Sequence, residues 1–110
     1  MTSYRVEHCP LADQEHRDAK RQYAHVFHRK NAICVAQAFY RLPRKTQVAI
    51  LLHEAGHLLA GVNGSEAMAN EKARAYSGVK LWYKDQPPYG EELEWIRPED
   101  VSKAEEALGL

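Results

Sequence analysis

The chain has 110 residues, of which 45% are hydrophobic and 27% are charged. Its 15 basic and 15 acidic side chains give a formal net charge of zero, which argues against a nucleic-acid partner. The longest apolar runs, such as residues 48–52, are far too short to cross a bilayer, and the first residues lack the apolar core of a signal peptide. We therefore expect one cytoplasmic domain spanning residues 1–110, with no membrane partner.

The N-terminal half predicts a helix between two strands. Residues 4–9 alternate weakly in polarity, which favours a short strand. From residue 11 to about residue 29 the apolar side chains recur on one helical face, which predicts an amphipathic helix. The apolar, β-branched and aromatic run at residues 32–42 predicts a second strand. Cys9 and Cys34 lack the paired spacing of a zinc knuckle, and we expect reduced core cysteines.

The C-terminal half predicts helices separated by glycine turns. Residues 47–60 are apolar on almost all sides, which is typical of a buried helix. Residues 61–64, Gly-Val-Asn-Gly, predict a turn in which both glycines can adopt positive φ. Ser65 is a candidate N-cap for a second helix that runs to about Ser77. The remaining predicted elements are a short strand at 79–83, a loop at 85–90 and an amphipathic helix at 98–108.

The predicted buried helix carries the pattern His-Glu-x-x-His at His53, Glu54 and His57. Residues four apart lie on the same helix face, so both imidazoles can reach a single ion. Glu54 lies beside this pair, where its carboxylate can accept a proton from a metal-bound water. Burying three ionisable side chains without partners would cost several kcal/mol, and a metal site gives each of them a partner. We therefore predict one Zn²⁺ ion on the two histidines, with Glu54 as general base.

A catalytic zinc site needs a third protein ligand. In the extended pattern His-Glu-x-x-His-x-x-Gly-x-x-His the third histidine would fall on Asn63, and no histidine follows His57 in the chain. The candidates are therefore carboxylates on the next predicted helix. Glu66 shares a face of small residues with Asn70, which could hydrogen-bond a ligand histidine. We predict Glu66 as the third ligand and keep Glu71 as the alternative, because a simple antiparallel hairpin would place Glu71 nearer the level of the histidines.

These residues resemble the gluzincins, metallopeptidases in which His-Glu-x-x-His is completed by a glutamate on a following helix. Residues 65–70, Ser-Glu-Ala-Met-Ala-Asn, are similar to the Glu-x-x-x-Asp/Asn pattern of that clan. Ala69 and Asn70, together with Ala73, are similar to the glutamate helix of the ImmA/IrrE-type metallopeptidases. The resemblance covers residues 46–77 and implies that Glu66 binds zinc while Asn70 steadies a histidine. It also implies a minimal zincin-like single domain of the α+β class, in which helices pack on a small β-sheet and the HExxH helix is buried.

The predicted activity is hydrolysis of a peptide bond in a peptide or protein substrate. A zinc-bound water loses its proton to Glu54 and attacks the carbonyl, and Glu54 then passes the proton to the leaving amine. The strand predicted at residues 32–42 is the expected edge for backbone pairing with an extended substrate. Gly56 is expected to allow another backbone to approach the helix closely. Three tyrosines are candidates for stabilising the oxyanion by their chemistry alone: Tyr76, Tyr83 and Tyr89.

Two other classes of protein stay open at this point. One is a catalytically weak or latent zincin-fold binding module, in which residues 91–110 lie across the cleft. The other is a helical interaction domain that binds no metal and carries the pattern by accident. Metal content distinguishes the second class from the rest, and Glu54→Gln distinguishes an enzyme from a binding module.

Overall fold

The computed structural model describes residues 5–8, 23–81 and 96–110. Over these residues the chain is α+β, with a three-stranded mixed sheet and three α-helices. The strands are β1 (Arg5–His8), β2 (Ala24–Phe27) and β3 (Ala32–Val35), and the helices are α1 (Arg44–Ala60), α2 (Glu66–Ser77) and α3 (Pro98–Leu108). Two 3₁₀ helices, His28–Lys30 and Gln37–Arg41, precede and follow β3. None of the helices in these residues is long and apolar enough to cross a membrane.

β3 is the central strand of the sheet. It pairs in parallel with β1 and antiparallel with β2, which gives the strand order β1-β3-β2. Alternate residues project from opposite faces of a sheet. Ile33 and Val35 therefore share one face with their β2 partners Val26 and Ala24, and all four belong to or pack against the hydrophobic core that α1 completes.

The helix predicted at residues 11–29 is wrong where the structure describes it. Residues 24–27 form β2 instead, and the 3₁₀ helix His28–Lys30 follows directly. The spacing of Tyr23, Val26 and Phe27 fits a helix as well as a strand. Antiparallel pairing with β3 provides hydrogen-bond partners for the backbone N–H and C=O groups of residues 24–27, which a helix would have paired internally. The remainder of that prediction, residues 11–22, lies outside the described residues.

The strand predicted at residues 32–42 is too long. Only its first four residues form β3, and Gln37–Arg41 turns into a 3₁₀ helix that buries Phe39. Gln47 of α1 stabilises this turn by donating from Nε2 to the carbonyl oxygens of Phe39 and Leu42, at 3.1 Å each. Because β3 lies between two other strands, the expectation that it forms a free edge for substrate is also wrong.

α1 starts three residues before the predicted helix and ends at the predicted residue, Ala60. Gly61 ends it with φ of 91°, and its N–H donates to the carbonyl oxygen of His57 at 3.1 Å. The helix contacts β2, β3 and both other helices. Its buried residues are Thr46, Val48, Ala49, Ile50, Leu51, Leu52, His53, Ala55 and Gly56.

α2 and α3 follow the sequence predictions closely. Ser65 caps α2, since its Oγ accepts a hydrogen bond from the backbone N–H of Met68 at 3.1 Å. α3 has the predicted bounds and buries Val101, Ala104 and Leu108. Of the strand predicted at 79–83, residues 79–81 form no regular structure, and the rest lies outside the described residues, as does the predicted loop at 85–90.

α3 closes the end of the α1–α2 hairpin that lies away from the connecting turn. Arg44, at the start of α1, donates to Glu105 Oε2 at 2.7 and 3.2 Å. Tyr76, near the end of α2, donates from its hydroxyl to the carbonyl oxygen of Ala107 at 2.6 Å. A shallow groove of about 440 Å³ lies between Pro43 and α3, again remote from the turn. The described part of residues 91–110 is therefore a structural support of the hairpin.

Candidate metal centre

Gly56 sets the distance between α1 and α2. A Cβ at this position would collide with the carbonyl oxygen of Ala69 and would lie 3.1 Å from the Cβ of Ala73. Ala69 and Ala73 are themselves fully buried. Three small residues thus let α2 lie directly against the histidine-bearing face of α1, which confirms the close approach expected at Gly56.

His53, His57 and Glu66 meet across this hairpin. His53 Nε2 lies 2.6 Å from Glu66 Oε2, and His57 Nε2 lies 3.3 Å from Glu66 Oε1. The two imidazole rings are edge to face, with centroids 4.8 Å apart. One ligand atom from each residue falls within 4.8 Å of the others, so the group could hold a metal ion. Within the described parts of the chain no other cluster of His, Cys, Asp and Glu has this arrangement.

The exposure of the three side chains increases from His53 to Glu66. The His53 side chain is 3% exposed, that of His57 17% and that of Glu66 49%. The group is therefore anchored in the core at one end and open to solvent at the other. Glu71, the alternative third ligand, is exposed on α2 and is not a member of the group.

Asn70 holds the buried end of the site. Its side chain is 3% exposed, and its Oδ1 lies 2.6 Å from His53 Nδ1. In this contact Nδ1–H donates to the amide oxygen, so a neutral His53 presents the lone pair of Nε2 to Glu66. The expected hydrogen bond between Asn70 and a histidine is present. Asn70 Nδ2 is buried and has no hydrogen-bond partner among the described residues.

The contact between His53 and Glu66 is the observation that tests whether a cation fits. Burial lowers the pKa of His53 below its ordinary value of 6.5, although Asn70 and the charge of Glu66 act in the opposite direction. A neutral ring then directs a lone pair at a carboxylate oxygen only 2.6 Å away. A separation of 2.6 Å is that of a hydrogen bond in which one proton lies between the two atoms, and a metal ion bound by the same two atoms would take the place of that proton. The donor set, two imidazoles and one carboxylate, therefore fits a metal such as zinc.

Glu54 is half-buried next to this group. Burial, and secondly the negative charge of Glu66, raise its pKa from the ordinary value of 4.5 to about 8. The effect of Glu66 shows that the two carboxylates lie close together in space. Glu54 is nevertheless separate from the three residues that converge. Sequence spacing gave no sign of this coupling, because Glu54 and Glu66 belong to different helices.

No family model, curated protein or solved structure matches this chain. The gluzincin resemblance of residues 46–77 thus stays a prediction. The geometry of His53, His57 and Glu66 does not depend on that resemblance.

The structure removes one candidate for stabilising the oxyanion. The hydroxyl of Tyr76 is engaged by the carbonyl oxygen of Ala107 on α3, at the end of α2 remote from Glu66. Tyr76 is therefore a packing residue that joins two helices. Tyr83 and Tyr89 lie outside the described residues.

Proposed function

We propose that this chain is a zinc-dependent metallopeptidase in which His53, His57 and Glu66 hold one Zn²⁺ ion and Glu54 is the general base. The observation that carries this proposal is the convergence of two imidazole nitrogens and one carboxylate within 4.8 Å. Three protein ligands leave a four-coordinate zinc with one position for water or substrate, which is typical of catalytic sites.

The protein side of the reaction follows from the residues around this group. A zinc ion held there would supply a lowered water pKa, toward about 7, and a polarised substrate carbonyl. Asn70 keeps the proton of a neutral His53 on Nδ1, which leaves the lone pair of Nε2 available to bind the metal. Neutralisation of the Glu66 charge in the metal-bound site favours the ionised form of Glu54. Glu54 then accepts the proton of the attacking water and delivers it to the leaving amine.

The exposure of the site favours a polypeptide substrate. The Glu66 side chain is half exposed, and the first turn of α2 and the turn before it are at the surface. A substrate therefore need not enter a closed cavity, and an extended segment or exposed loop of another protein can reach the site. The proposed substrate is therefore a peptide or protein.

Metal analysis tests the first half of the proposal. Purified protein is expected to contain about one equivalent of zinc, which His57→Ala and Glu66→Ala should lose. Glu71→Ala is the matched control, because this glutamate lies on the same helix outside the group. A metal-free protein whose melting temperature ignores both zinc and chelator would contradict the proposal.

Cleavage of an unfolded protein substrate tests the second half. Chelation should abolish cleavage and zinc should restore it, while Glu54→Gln should keep zinc and slow cleavage by about 10²–10⁴-fold. Cleavage by Glu54→Gln at the parental rate would show that Glu54 is not the base. Zinc binding without any cleavage by the parent would identify a binding module with the same site.

A further inference from the structure

One end of the sheet carries three exposed cations and one exposed aromatic ring. This group consists of Arg5, Phe27, Arg29 and Lys30, and we call it the basic patch. The three cationic side chains are exposed, and Phe27 is 42% exposed although it is a large hydrophobic residue. Exposed cations and single exposed hydrophobic residues are common at protein surfaces, and the distinctive feature here is that they occur together at one end of the sheet.

The sheet register and the 3₁₀ helix after β2 place these residues at the same end of the sheet. Arg5 of β1 and Phe27 of β2 are both paired with Ala32 of β3, so they project from the same face on either side of it. This is the face opposite Ile33, and hence opposite α1. The Nζ of Lys30 lies 5.4 Å from the centroid of the Phe27 ring, which is within the range of a cation–π contact.

The cations of the basic patch have no acidic partner in the described residues. The ion pairs there are Arg44–Glu105, Arg97–Asp100 and the contacts of Glu66 with the two histidines. Glu7 lies two residues from Arg5 on β1, and no ion pair joins them in this part of the chain. The other described acidic residues lie on the three helices. The end of the sheet that carries the basic patch therefore has three cations and one carboxylate, Glu7, among the described residues.

We propose that the basic patch docks an acidic segment of a protein substrate, with one apolar side chain of that segment on the ring of Phe27. This inference rests on the proposed peptidase function. Carboxylates match the guanidinium groups of Arg5 and Arg29 by paired hydrogen bonds. A single-stranded nucleic acid would instead need several stacking rings along a basic groove, whereas the basic patch has one ring, already in contact with Lys30.

The dimensions of the molecule allow one substrate to occupy both sites. The longest dimension of the protein is 33 Å, and an extended chain covers about 3.3 Å per residue, so a segment of roughly ten residues is long enough to span the whole molecule. Docking at the patch would raise the local concentration of the scissile segment at an open, shallow site. Selectivity would then come from a segment other than the one that is cut.

Binding is measured on the Glu54→Gln protein, so that cleavage does not interfere. The probe is a fluorescent peptide rich in Asp and Glu with one central Leu, and the control peptide has Asn and Gln in place of the acids. The patch variant combines Arg5→Gln, Arg29→Gln and Lys30→Gln. The matched control variant removes the same charge from exposed cations elsewhere: Lys72→Gln, Arg74→Gln and Lys80→Gln.

Anisotropy titration should show about tenfold weaker binding of the acidic peptide to the patch variant, as expected for three exposed charge pairs. The control variant should bind like the parent, and high salt should remove the difference. Phe27→Ala should weaken binding without changing charge. Equal weakening by both triple variants, or none by the patch variant, would overturn the proposal.

Two further readouts separate the alternatives. Tighter binding of a single-stranded oligonucleotide of equal charge, at equal salt, would overturn the proposal and assign the basic patch to nucleic acid. With Glu54 intact, the patch variant should raise KM for a substrate that carries an acidic segment, at unchanged kcat. If the parent cleaves nothing, the proposed function fails, while the anisotropy titration still decides whether an acidic segment docks. Circular dichroism confirms that each variant is folded.

Discussion

Asn70 contributes a neutral amide at the buried end of the metal centre. Its oxygen accepts from His53 Nδ1, which fixes the ring orientation without adding a charge. A carboxylate in the same place would accept a charge-assisted hydrogen bond and make the imidazole a stronger donor to the metal.

Asn70→Ala is therefore expected to weaken zinc affinity by about 10–100-fold, because His53 Nδ1 loses its hydrogen bond to the Asn70 amide. Asn70→Asp should retain or tighten zinc binding. Competition with a chromophoric chelator measures both changes, and Asn63→Ala in the exposed turn is the control. If Asn70→Ala binds zinc like the parent, the amide does not position the ring.

Glu54 lowers the stability of the metal-free protein in a pH-dependent way. Its pKa rises from 4.5 unfolded to about 8 folded, so between these values the folded state keeps a proton that the unfolded state has lost. Stability should then fall as pH rises through this window, by at most about 1.4 kcal/mol per pH unit. His53 acts oppositely: its lowered pKa reduces stability as pH falls below about 6.5.

Glu54→Gln removes the pH dependence of stability that Glu54 causes and leaves the one that His53 causes. We expect the melting temperature of the chelated variant to exceed that of the chelated parent by more at pH 8 than at pH 5. The His53 contribution is common to both proteins and cancels in this comparison. A melting-temperature difference that does not depend on pH would show that the Glu54 carboxyl is not perturbed in the folded protein.

At the scale of the elements, close packing of α1 on α2 predicts whether Gly56→Ala raises or lowers the stability of the protein. Alanine normally stabilises a helix interior relative to glycine by about 0.5–1 kcal/mol. Gly56→Ala should instead destabilise the protein by about 1–3 kcal/mol, because its Cβ meets the backbone of Ala69. Zinc affinity should fall as well, since α2 carries Glu66. Urea unfolding measures the first effect, and an increase in stability would contradict the packing described for Gly56.

The elements that could be predicted from the sequence are those with chemical signals at both ends. α3 begins at Pro98 and ends before Gly109, and α2 lies between Ser65 and Gly78. β2 was missed because four residues are too few to distinguish a strand period from a helix period. Pairing with β3 decided its structure, and that contact is invisible in a local window.

In the candidate site, likewise, the histidines could be predicted from local sequence, whereas the glutamate depends on contacts between helices. His53 and His57 lie on one helix, so their spacing alone places them together. The choice of Glu66 over Glu71 depends on how α2 is aligned against α1, and the packing at Gly56 sets that alignment. Helix faces favoured Glu66, whereas a schematic hairpin favoured Glu71. Only the three-dimensional structure brings Glu66 between the two imidazoles.

For the whole molecule, a metal ion on these residues would join α1 to α2 in addition to their apolar contacts. Zinc at a hundredfold excess over its dissociation constant should stabilise the fold by about 2.7 kcal/mol, or roughly 10 °C in melting temperature for a chain of this length. Calorimetry with zinc and with chelator measures the shift. Glu66→Ala should abolish it and Glu71→Ala should retain it; a zinc shift that survives in Glu66→Ala would place the metal elsewhere.

The short turn between α1 and α2 has a consequence for the order in which the protein assembles. All three candidate ligands lie within residues 53–66, so bringing them together costs little loop-closure entropy. Pairing of β1 with β3 requires contacts between residues much further apart in sequence, and such contacts form more slowly. We therefore expect the metal site to be complete as soon as the two helices dock. When the protein refolds in the presence of zinc, capture of the ion should therefore precede the pairing of β1 with β3.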